Sequence, residues 1–169
     1  ETPALSRHGM NAIFSTGDVV LRVATPSVPA SASIELAEFL LGEGVRVPSP
    51  HRGDVVVDGA MNVTAWERIA ESSTSIDWVG VGTLVRRVHA IDVRDLPPAV
   101  PLPSPAVLPW WDFDSLLVRA GDALDPRARD GLAAVVDRHR GWERFADTVV
   151  CHGDVHPGNV MMGADGPVL

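Results

Sequence analysis

Four polar side chains that could do chemistry lie within eight residues near the end of the 169-residue sequence: His152, Asp154, His156 and Asn159. The glycines and the proline between them predict a loop, and catalytic residues are concentrated on loops held by a rigid scaffold. The spacing is His-x-Asp, with the Asn five residues after the Asp. Phosphoryl transfer to a hydroxyl needs a carboxylate that accepts the hydroxyl's proton and an oxygen ligand for Mg²⁺. The segment therefore contains the kinds of group that phosphoryl transfer requires.

The segment His-Gly-Asp-Val-His-Pro-Gly-Asn, residues 152–159, resembles the catalytic loop of the aminoglycoside phosphotransferase and choline kinase family of small-molecule kinases. In protein kinases too, an Asn that binds Mg²⁺ follows the catalytic Asp after five residues. The resemblance implies that Asp154 is the catalytic base, that Asn159 is a metal ligand and that His152 braces the loop. It places His156 where protein kinases carry a lysine near the transferred phosphate. These three residues, Asp154, His152 and His156, are the candidate catalytic residues.

Two other interpretations of the loop stay open. His152, Asp154 and His156 alternate as in zinc hydrolases, although no second cluster with ligand spacing occurs elsewhere in the sequence. The loop could also be an ordinary connection between two strands, but that interpretation does not explain Asn159 at its offset from the Asp.

Upstream of the loop, alternating β-prone residues predict two hairpins in the first 68 residues. One covers residues 11–23 around a Gly-Asp turn, and the other covers residues 55–66 around an Asp-Gly turn. Residues 31–41 predict an amphipathic helix between them, capped by Ser31 or Ser33 and ended by Gly42. The order hairpin, helix, hairpin matches the N-terminal lobe of a kinase-like fold.

The resemblance also assigns residues of this lobe to nucleotide binding. Arg22, in a Val-Leu-Arg-Val strand, stands where kinases carry the lysine that holds the α- and β-phosphates. Arginine keeps the charge but presents a planar fork in place of a compact ammonium. Glu35 on the predicted helix is the expected partner of this cation, with Glu38 as the alternate. For Arg22 and Glu35, a plain surface position is the competing interpretation.

Two further nucleotide contacts follow from the resemblance alone. The adenine is expected to hydrogen-bond to the backbone around Trp66 to Arg68, where the second hairpin leads into a hinge. The segment Ser6–Asn11 is expected to cover the phosphates, although it contains a single glycine.

The second part of the chain predicts helices and then the loop. Asp77 is expected to cap one helix and Asp125, followed by Pro126, another. Prolines recur between residues 96 and 109 and predict an extended surface connection, followed by the paired Trp110 and Trp111, which more often anchor a loop than line a ligand cleft.

The residues next to the loop predict strands. Residues 148–150 predict a short buried strand, with Cys151 at its end as a buried, unreactive thiol. Residues 159–169 predict a closing hairpin.

Composition excludes several classes of protein. A net charge of −8 argues against a nucleic-acid partner. The sequence contains no lysine, which rules out a P-loop nucleotide site with its Gly-Lys-Ser/Thr. No apolar run approaches the length of a membrane span, and the single cysteine fits a reducing compartment, so a cytoplasmic protein is expected. Without an initiator Met, and ending within a predicted strand, the sequence is treated as a fragment that by itself folds poorly and does not turn over.

Together these features predict an α+β fold, two-lobed and protein-kinase-like. Residues 1–68 would form the N-terminal nucleotide-binding lobe of antiparallel sheet and helix, and residues 69–169 part of a mostly helical C-terminal lobe with the catalytic loop at 152–159. The expected function is Mg²⁺-dependent transfer of the γ-phosphate of ATP or GTP to a hydroxyl of a small molecule, aminoglycoside-like or another amino-alcohol. A nucleotide-binding pseudo-kinase module and, less favoured, a metal-dependent hydrolase are the alternatives; the acceptor, the choice of nucleotide and the oligomeric state are left open.

Overall fold

The structure, a computed structural model, describes residues 2–9, 11–25, 29–101, 112–141 and 149–169. The chain divides into two compact units. The first comprises Glu1–Pro101 together with Val149–Leu169, and the second comprises Leu102–Thr148. The predicted lobe boundary between residues 68 and 69 stays a prediction.

The first unit is built on an antiparallel sheet of five strands, which are β1 (Ala4–His8), β2 (Ala12–Thr16), β3 (Val19–Ala24), β4 (Pro50–Asp58) and β5 (Met61–Glu67). Their order in the sheet is β1-β2-β3-β5-β4, so β3 is the central strand. Gly17 and Gly59 make the turns of the two predicted hairpins with φ of 54° and 59°, a left-handed conformation that glycine adopts without steric cost. Both hairpins are confirmed.

Strand β1 corrects one prediction. Residues 6–8, assigned from the sequence to a loop over the phosphates, lie in β1, where Arg7 and His8 pair with β2 and residue 6 lies at a shift in the register. Because β1 is an edge strand with every residue exposed, it lacks the apolar alternation from which half-buried strands are recognised in a sequence. The connection from β1 to β2 is therefore confined to residues 9–11.

The helix α1 (Ala30–Gly42) contacts β4 and β5 and ends at the predicted glycine. Its predicted caps are wrong: the N-cap is Pro29, and no side chain caps the helix. Ala30 and Ala32 are buried, so the apolar face of α1 begins one residue before Ser31. Ser31 and Ser33 therefore lie within the helix and not at its start.

A second helix, α2 (Trp78–Ala90), is capped as predicted, since the Asp77 carboxylate accepts hydrogen bonds from the amides of Val79 and Gly80. Its apolar residues Val81, Leu84 and Val88 are buried. Helix α2 contacts the last strand of a closing hairpin, which is formed by β6 (Met161–Gly163) and β7 (Gly166–Val168) and confirms the prediction.

The chain just before the loop is not the predicted buried strand. Val149 is 52% exposed, and neither Val149 nor Val150 belongs to a strand. Cys151 is exposed, which overturns its expected burial. A β-prone run becomes a strand only when a neighbouring strand accepts its hydrogen bonds, and the sequence does not reveal whether one is present. Residue 148 of this prediction lies outside the described residues.

In the second unit, α3 (Phe113–Ala120) packs on α4 (Pro126–Arg138), and Asp125 caps α4 with Pro126 in the first turn, as predicted. Hydrogen bonds from the Arg140 guanidinium to Asp114 hold the pKa of that carboxyl below its usual range. Trp110, Trp111 and most of the proline-rich connection lie outside the described residues. The helices that the structure describes have at most 13 residues, and none is apolar enough or long enough for a bilayer span.

Candidate active site

The loop from His152 to Asn159 leads into β6 and is shaped by short-range contacts. Gly153 has a φ of 80°, which turns the chain immediately before Asp154 and favours glycine. Residues Pro157–Asn159 then form a single 3-10 turn. The buried Val160 follows and joins this turn to the β6–β7 hairpin.

Asp154 and Asn159, predicted as base and metal ligand, are in direct contact. The Asn159 amide nitrogen Nδ2 donates to Asp154 Oδ2 at 2.8 Å and to the Asp154 backbone oxygen at 3.0 Å. Because the amide nitrogen is engaged in this way, the amide oxygen of Asn159 is the atom left for a cation. The five-residue spacing thus becomes a contact between the two side chains.

Both histidines of the loop accept a backbone hydrogen bond at Nδ1. His152 Nδ1 accepts from the Asp154 amide at 3.3 Å, and His156 Nδ1 accepts from the Gly158 amide at 3.0 Å. Since an amide can only donate, the proton of each neutral ring is on Nε2. His156 Nε2 lies 3.8 Å from Asp154 Oδ1, so the second oxygen of the base faces this ring.

The carboxylate of Asp154 is accessible, with 74% of its side chain exposed, and His156 is half exposed. An alcohol can therefore reach the carboxylate from solvent. Elsewhere in the described chain, a hydrogen bond from the Arg94 side chain lowers the pKa of Asp92, and hydrogen bonds from the Ser115 side chain and amide lower the pKa of Asp112.

The hairpin that carries the loop is held by two parts of the chain that the sequence analysis did not single out. The Leu169 amide donates to the Arg46 backbone oxygen at 3.0 Å, and the Ser72 amide donates to the Met162 backbone oxygen at 2.6 Å. The Arg46 guanidinium lies so close to Gly166 that an added Cβ would meet it at 3.2 Å. Backbone contacts leave no sequence signal, and Gly166 takes a φ of 112°, a conformation that favours glycine.

The predicted phosphate-binding cation, Arg22, lies on the central strand β3 between Ile13 of β2 and Thr64 of β5. Directly opposed residues of paired strands point to the same face of a sheet, and Thr64 is buried at 6% exposure. Arg22 therefore shares the covered face of the sheet. Among the described residues no ion pair joins Arg22 to Glu35, which lies half-buried on α1, or to Glu38, which is exposed.

The predicted adenine-binding backbone is partly engaged. The Glu67 amide donates to the Ser49 oxygen and the Arg68 amide to the Asp18 oxygen, both at 2.8 Å. The Trp66 indole donates to the Thr64 hydroxyl at 2.8 Å.

Of the residues that follow, Ile69 is half-buried and Ala70 is exposed. Within the described chain, the amides of Ile69 and Ala70 have no acceptor. They lie on a shallow concavity of about 500 Å³, which Asp18, Arg68 and Glu71 also line. The Trp66–Arg68 assignment stays a prediction, and the unengaged donors begin one residue after it.

The donor set of the loop suits a magnesium ion better than zinc. A carboxylate and an amide oxygen are hard ligands of the kind that Mg²⁺ binds. In the part of the chain that the structure describes, no group of three His, Cys, Asp or Glu side chains is arranged to hold a metal. The zinc hydrolase interpretation of His152, Asp154 and His156 therefore has no geometric support there.

Comparison with known proteins identifies the family of the chain. The profile of the phosphotransferase enzyme family matches residues 11–169. An aminoglycoside 3'-phosphotransferase of Streptomyces fradiae is 28% identical, over 81% of this chain and 56% of that enzyme. The chain thus spans little more than half the length of the curated relative.

Solved structures give the fold. A choline/ethanolamine kinase family protein from Mesorhizobium loti superimposes with a TM-score of 0.63 at 17% identity, over 100% of this chain and 57% of that protein. Spectinomycin phosphotransferase, solved with ADP and spectinomycin, gives 0.64 at 12% identity, over 100% of this chain and 62% of that enzyme. The predicted kinase-like α+β fold and the resemblance from which it came are both confirmed.

Proposed function

The chain belongs to the phosphotransferase enzyme family, and on that premise we propose that the whole protein transfers the γ-phosphate of ATP or GTP to a hydroxyl of a small molecule. An aminoglycoside-like or other amino-alcohol is the proposed class of acceptor. The resemblance to an aminoglycoside 3'-phosphotransferase supports this class, and the net charge of −8 favours a cationic ligand.

One observation carries the proposal: an exposed carboxylate, Asp154, is held by the Asn159 amide in a turn that leaves the amide oxygen unengaged. Such an arrangement separates two functions across one short loop. The carboxylate meets the alcohol, and the amide oxygen is available to a nucleotide-bound cation.

In the proposed reaction the acceptor hydroxyl loses its proton to Asp154 as its oxygen bonds to the γ-phosphorus. The bond from that phosphorus to the β–γ bridging oxygen breaks, and the nucleoside diphosphate leaves. His152 keeps the loop in shape through the Asp154 amide, and the half-exposed His156 lies beside the base. Catalysis of this kind depends mainly on positioning and on charge stabilisation.

Asn159 is the residue proposed to hold Mg²⁺, with Arg22 holding the phosphates. A bound Mg²⁺ neutralises phosphate charge and orients the transferred group. The adenine is proposed to bind the backbone at the concavity of Arg68, Ile69 and Ala70, where unengaged amides can donate to the base.

The test is a nucleoside diphosphate release assay on the full-length protein with Mg²⁺ and either ATP or GTP. The acceptor panel contains a 3'-hydroxyl aminoglycoside, spectinomycin, choline and ethanolamine, and a simple sugar as the uncharged control. We expect release that depends on one of the amino-alcohols, together with phosphorylated acceptor by mass spectrometry. Release that no acceptor changes would contradict the proposal.

A pseudo-kinase is the second candidate, because Arg22 replaces a lysine and has no acidic partner among the described residues. In that case the full-length protein would bind nucleotide in a Mg²⁺-dependent way, measured by calorimetry, without phosphorylating any acceptor of the panel. Stoichiometric zinc in the purified protein would favour the hydrolase interpretation.

A further inference from the structure

His156 makes a contact that its proposed place beside the phosphate does not require. Its Nδ1 accepts a hydrogen bond from the Gly158 amide at 3.0 Å, so the ring caps the 3-10 turn Pro157–Asn159 from the N-cap position immediately before it. The His156 backbone oxygen also accepts the Asn159 amide at 2.9 Å. Both contacts hold the turn that presents the Asn159 side chain to Asp154.

The neighbouring glycine shows that the ring is packed against the turn. A Cβ added to Gly158 would lie 2.8 Å from His156 Cε1 and 3.2 Å from Nδ1. Gly158 has no left-handed φ, so an alanine there would meet the imidazole without backbone strain. The imidazole therefore occupies the space that a side chain at position 158 would need.

We propose that His156 is a positioning residue whose two nitrogens have separate tasks. Nδ1 caps the turn and thereby fixes the Asn159 amide against Asp154. Nε2–H is held toward the carboxylate, 3.8 Å from Oδ1. The inference rests on the proposed phosphotransferase function, because its consequence is a correctly placed metal ligand.

Two substitutions separate these tasks. In His156→Asn the side-chain oxygen takes the place of Nδ1 and can still cap, since Asn is a preferred capping residue, whereas the Nε2 donor is lost. In His156→Gln a terminal NH₂ can take the place of Nε2, whereas the capping atom is lost. The pair therefore keeps one nitrogen's task at a time.

The first measurement is the Mg²⁺ concentration for half-maximal rate of the full-length enzyme at fixed ATP and acceptor. For His156→Gln we expect an increase of about tenfold, the usual cost of losing a contact that orients a metal ligand, and for His156→Asn at most about threefold. Similar KM values for the acceptor in both variants are expected, because the alcohol binds on the Asp154 side. A larger rise in the Mg²⁺ requirement for His156→Asn than for His156→Gln would overturn the proposal. In that case Nε2, and not the capping atom Nδ1, would be the nitrogen on which the function of His156 depends.

Gly158→Ala tests the same contact without altering the histidine. The added methyl displaces the ring, so we expect the Mg²⁺ requirement to rise by about tenfold, as in His156→Gln. Gly82→Ala in α2 is the matched control, since a Cβ there meets nothing within 4 Å. An unchanged Mg²⁺ requirement in Gly158→Ala would overturn the proposal.

A spectroscopic measurement needs no turnover. In histidine-selective ¹⁵N spectra of the full-length protein, we expect an unprotonated Nδ1 and a protonated Nε2 for neutral His156, with a coupling across the hydrogen bond from the Gly158 amide to Nδ1 that is lost in Gly158→Ala. The expected pattern in a protein that phosphorylates nothing would refute the proposed function and keep the capping contact. A protonated Nδ1 in the neutral ring of an active enzyme would refute the capping contact and keep the function.

Discussion

The loop His152–Asn159 and the strand–helix pair of β3 and α1 differ in how completely their predicted contacts are formed. In the loop, the Asn159 side chain donates to Asp154 and both histidines accept hydrogen bonds from backbone amides. On β3 and α1, Arg22 and Glu35 were expected to pair, yet no ion pair joins them in the described residues. The predicted contacts are therefore formed in the loop, whereas the predicted ion pair between β3 and α1 is not.

The difference follows from the range of the contacts. Each hydrogen bond of the loop joins residues two to five positions apart, so a tight turn is enough to form it. Arg22 and Glu35 belong to separate elements, and α1 contacts β4 and β5, the strands on one side of the sheet. Bringing such a pair together requires the packing of whole elements, and a bound phosphate would add a charge-assisted contact to the Arg22 guanidinium.

The largest effect is expected from Asp154→Asn in the full-length protein. The substitution keeps an oxygen that can accept from Asn159 but removes the proton acceptor, so the acceptor-dependent rate should fall by about 10²–10⁴-fold. Steady-state phosphorylation of the acceptor measures the rate. The KM for nucleotide should change little, because the carboxylate meets the alcohol.

Nucleotide binding and thermal unfolding of the same variant serve as controls and should match those of the unsubstituted protein. A rate reduced by less than threefold would show that Asp154 is not the base. The contacts of the loop would then have no catalytic role through this carboxylate.

Asn159→Ala should have the next largest effect. It removes both the proposed Mg²⁺ ligand and the hydrogen bonds to Asp154, so we expect the half-saturating Mg²⁺ concentration to rise by about 10–100-fold. Titration of Mg²⁺ at fixed ATP measures it. Asn62→Ala, at a β5 position that pairs with Ala24, is the matched control and should leave the titration unchanged. A fall in rate with an unchanged Mg²⁺ requirement would assign Asn159 to loop structure alone.

Much of the fold could be predicted because its signals are local. Turn glycines marked both hairpins, Asp77 and Asp125 marked helix starts, and the eight-residue loop motif indicated its own contacts. What failed depended on neighbours distant in sequence. No strand of the described residues pairs with the run at Val149, and Ser31 does not cap α1 because buried alanines extend the helix beyond it.

The site followed the same rule. The spacing of Asp154 and Asn159 singled out two side chains as candidates, and the structure shows which of their atoms touch. The contact of Arg46 with the hairpin could not be found in the sequence, because its backbone oxygen accepts the Leu169 amide and any residue type has such an oxygen. Likewise, the engaged amides of Glu67 and Arg68 depend on Ser49 and Asp18, which only the tertiary fold brings near.

Arg22→Ala tests the less organised side of the site. A lost charge-assisted contact with phosphate should raise the KM for ATP by about tenfold. Arg22→Lys keeps the charge, so its KM should stay within about threefold of the original value. Arg7→Ala, on the exposed edge strand β1, is the matched control and should have no effect. Equal KM values in all three variants would place Arg22 outside the nucleotide site.

The smallest effect is expected from Glu35→Gln, which tests whether Glu35 pairs with Arg22 when nucleotide is bound. Among the described residues Glu35 forms no ion pair that the substitution could remove, so the thermal unfolding temperature of the protein without added nucleotide should not change. With Mg²⁺ and ATP, a Glu35 that then pairs with Arg22 should make the KM about two- to threefold higher in the Gln variant, the size of a partly exposed ion pair. Glu38→Gln, one turn along the exposed side of α1, should leave the KM unchanged. A higher KM in Glu38→Gln and an unchanged KM in Glu35→Gln would make Glu38 the partner of Arg22. An unchanged KM in both variants would mean that Arg22 binds phosphate without an acidic partner on α1.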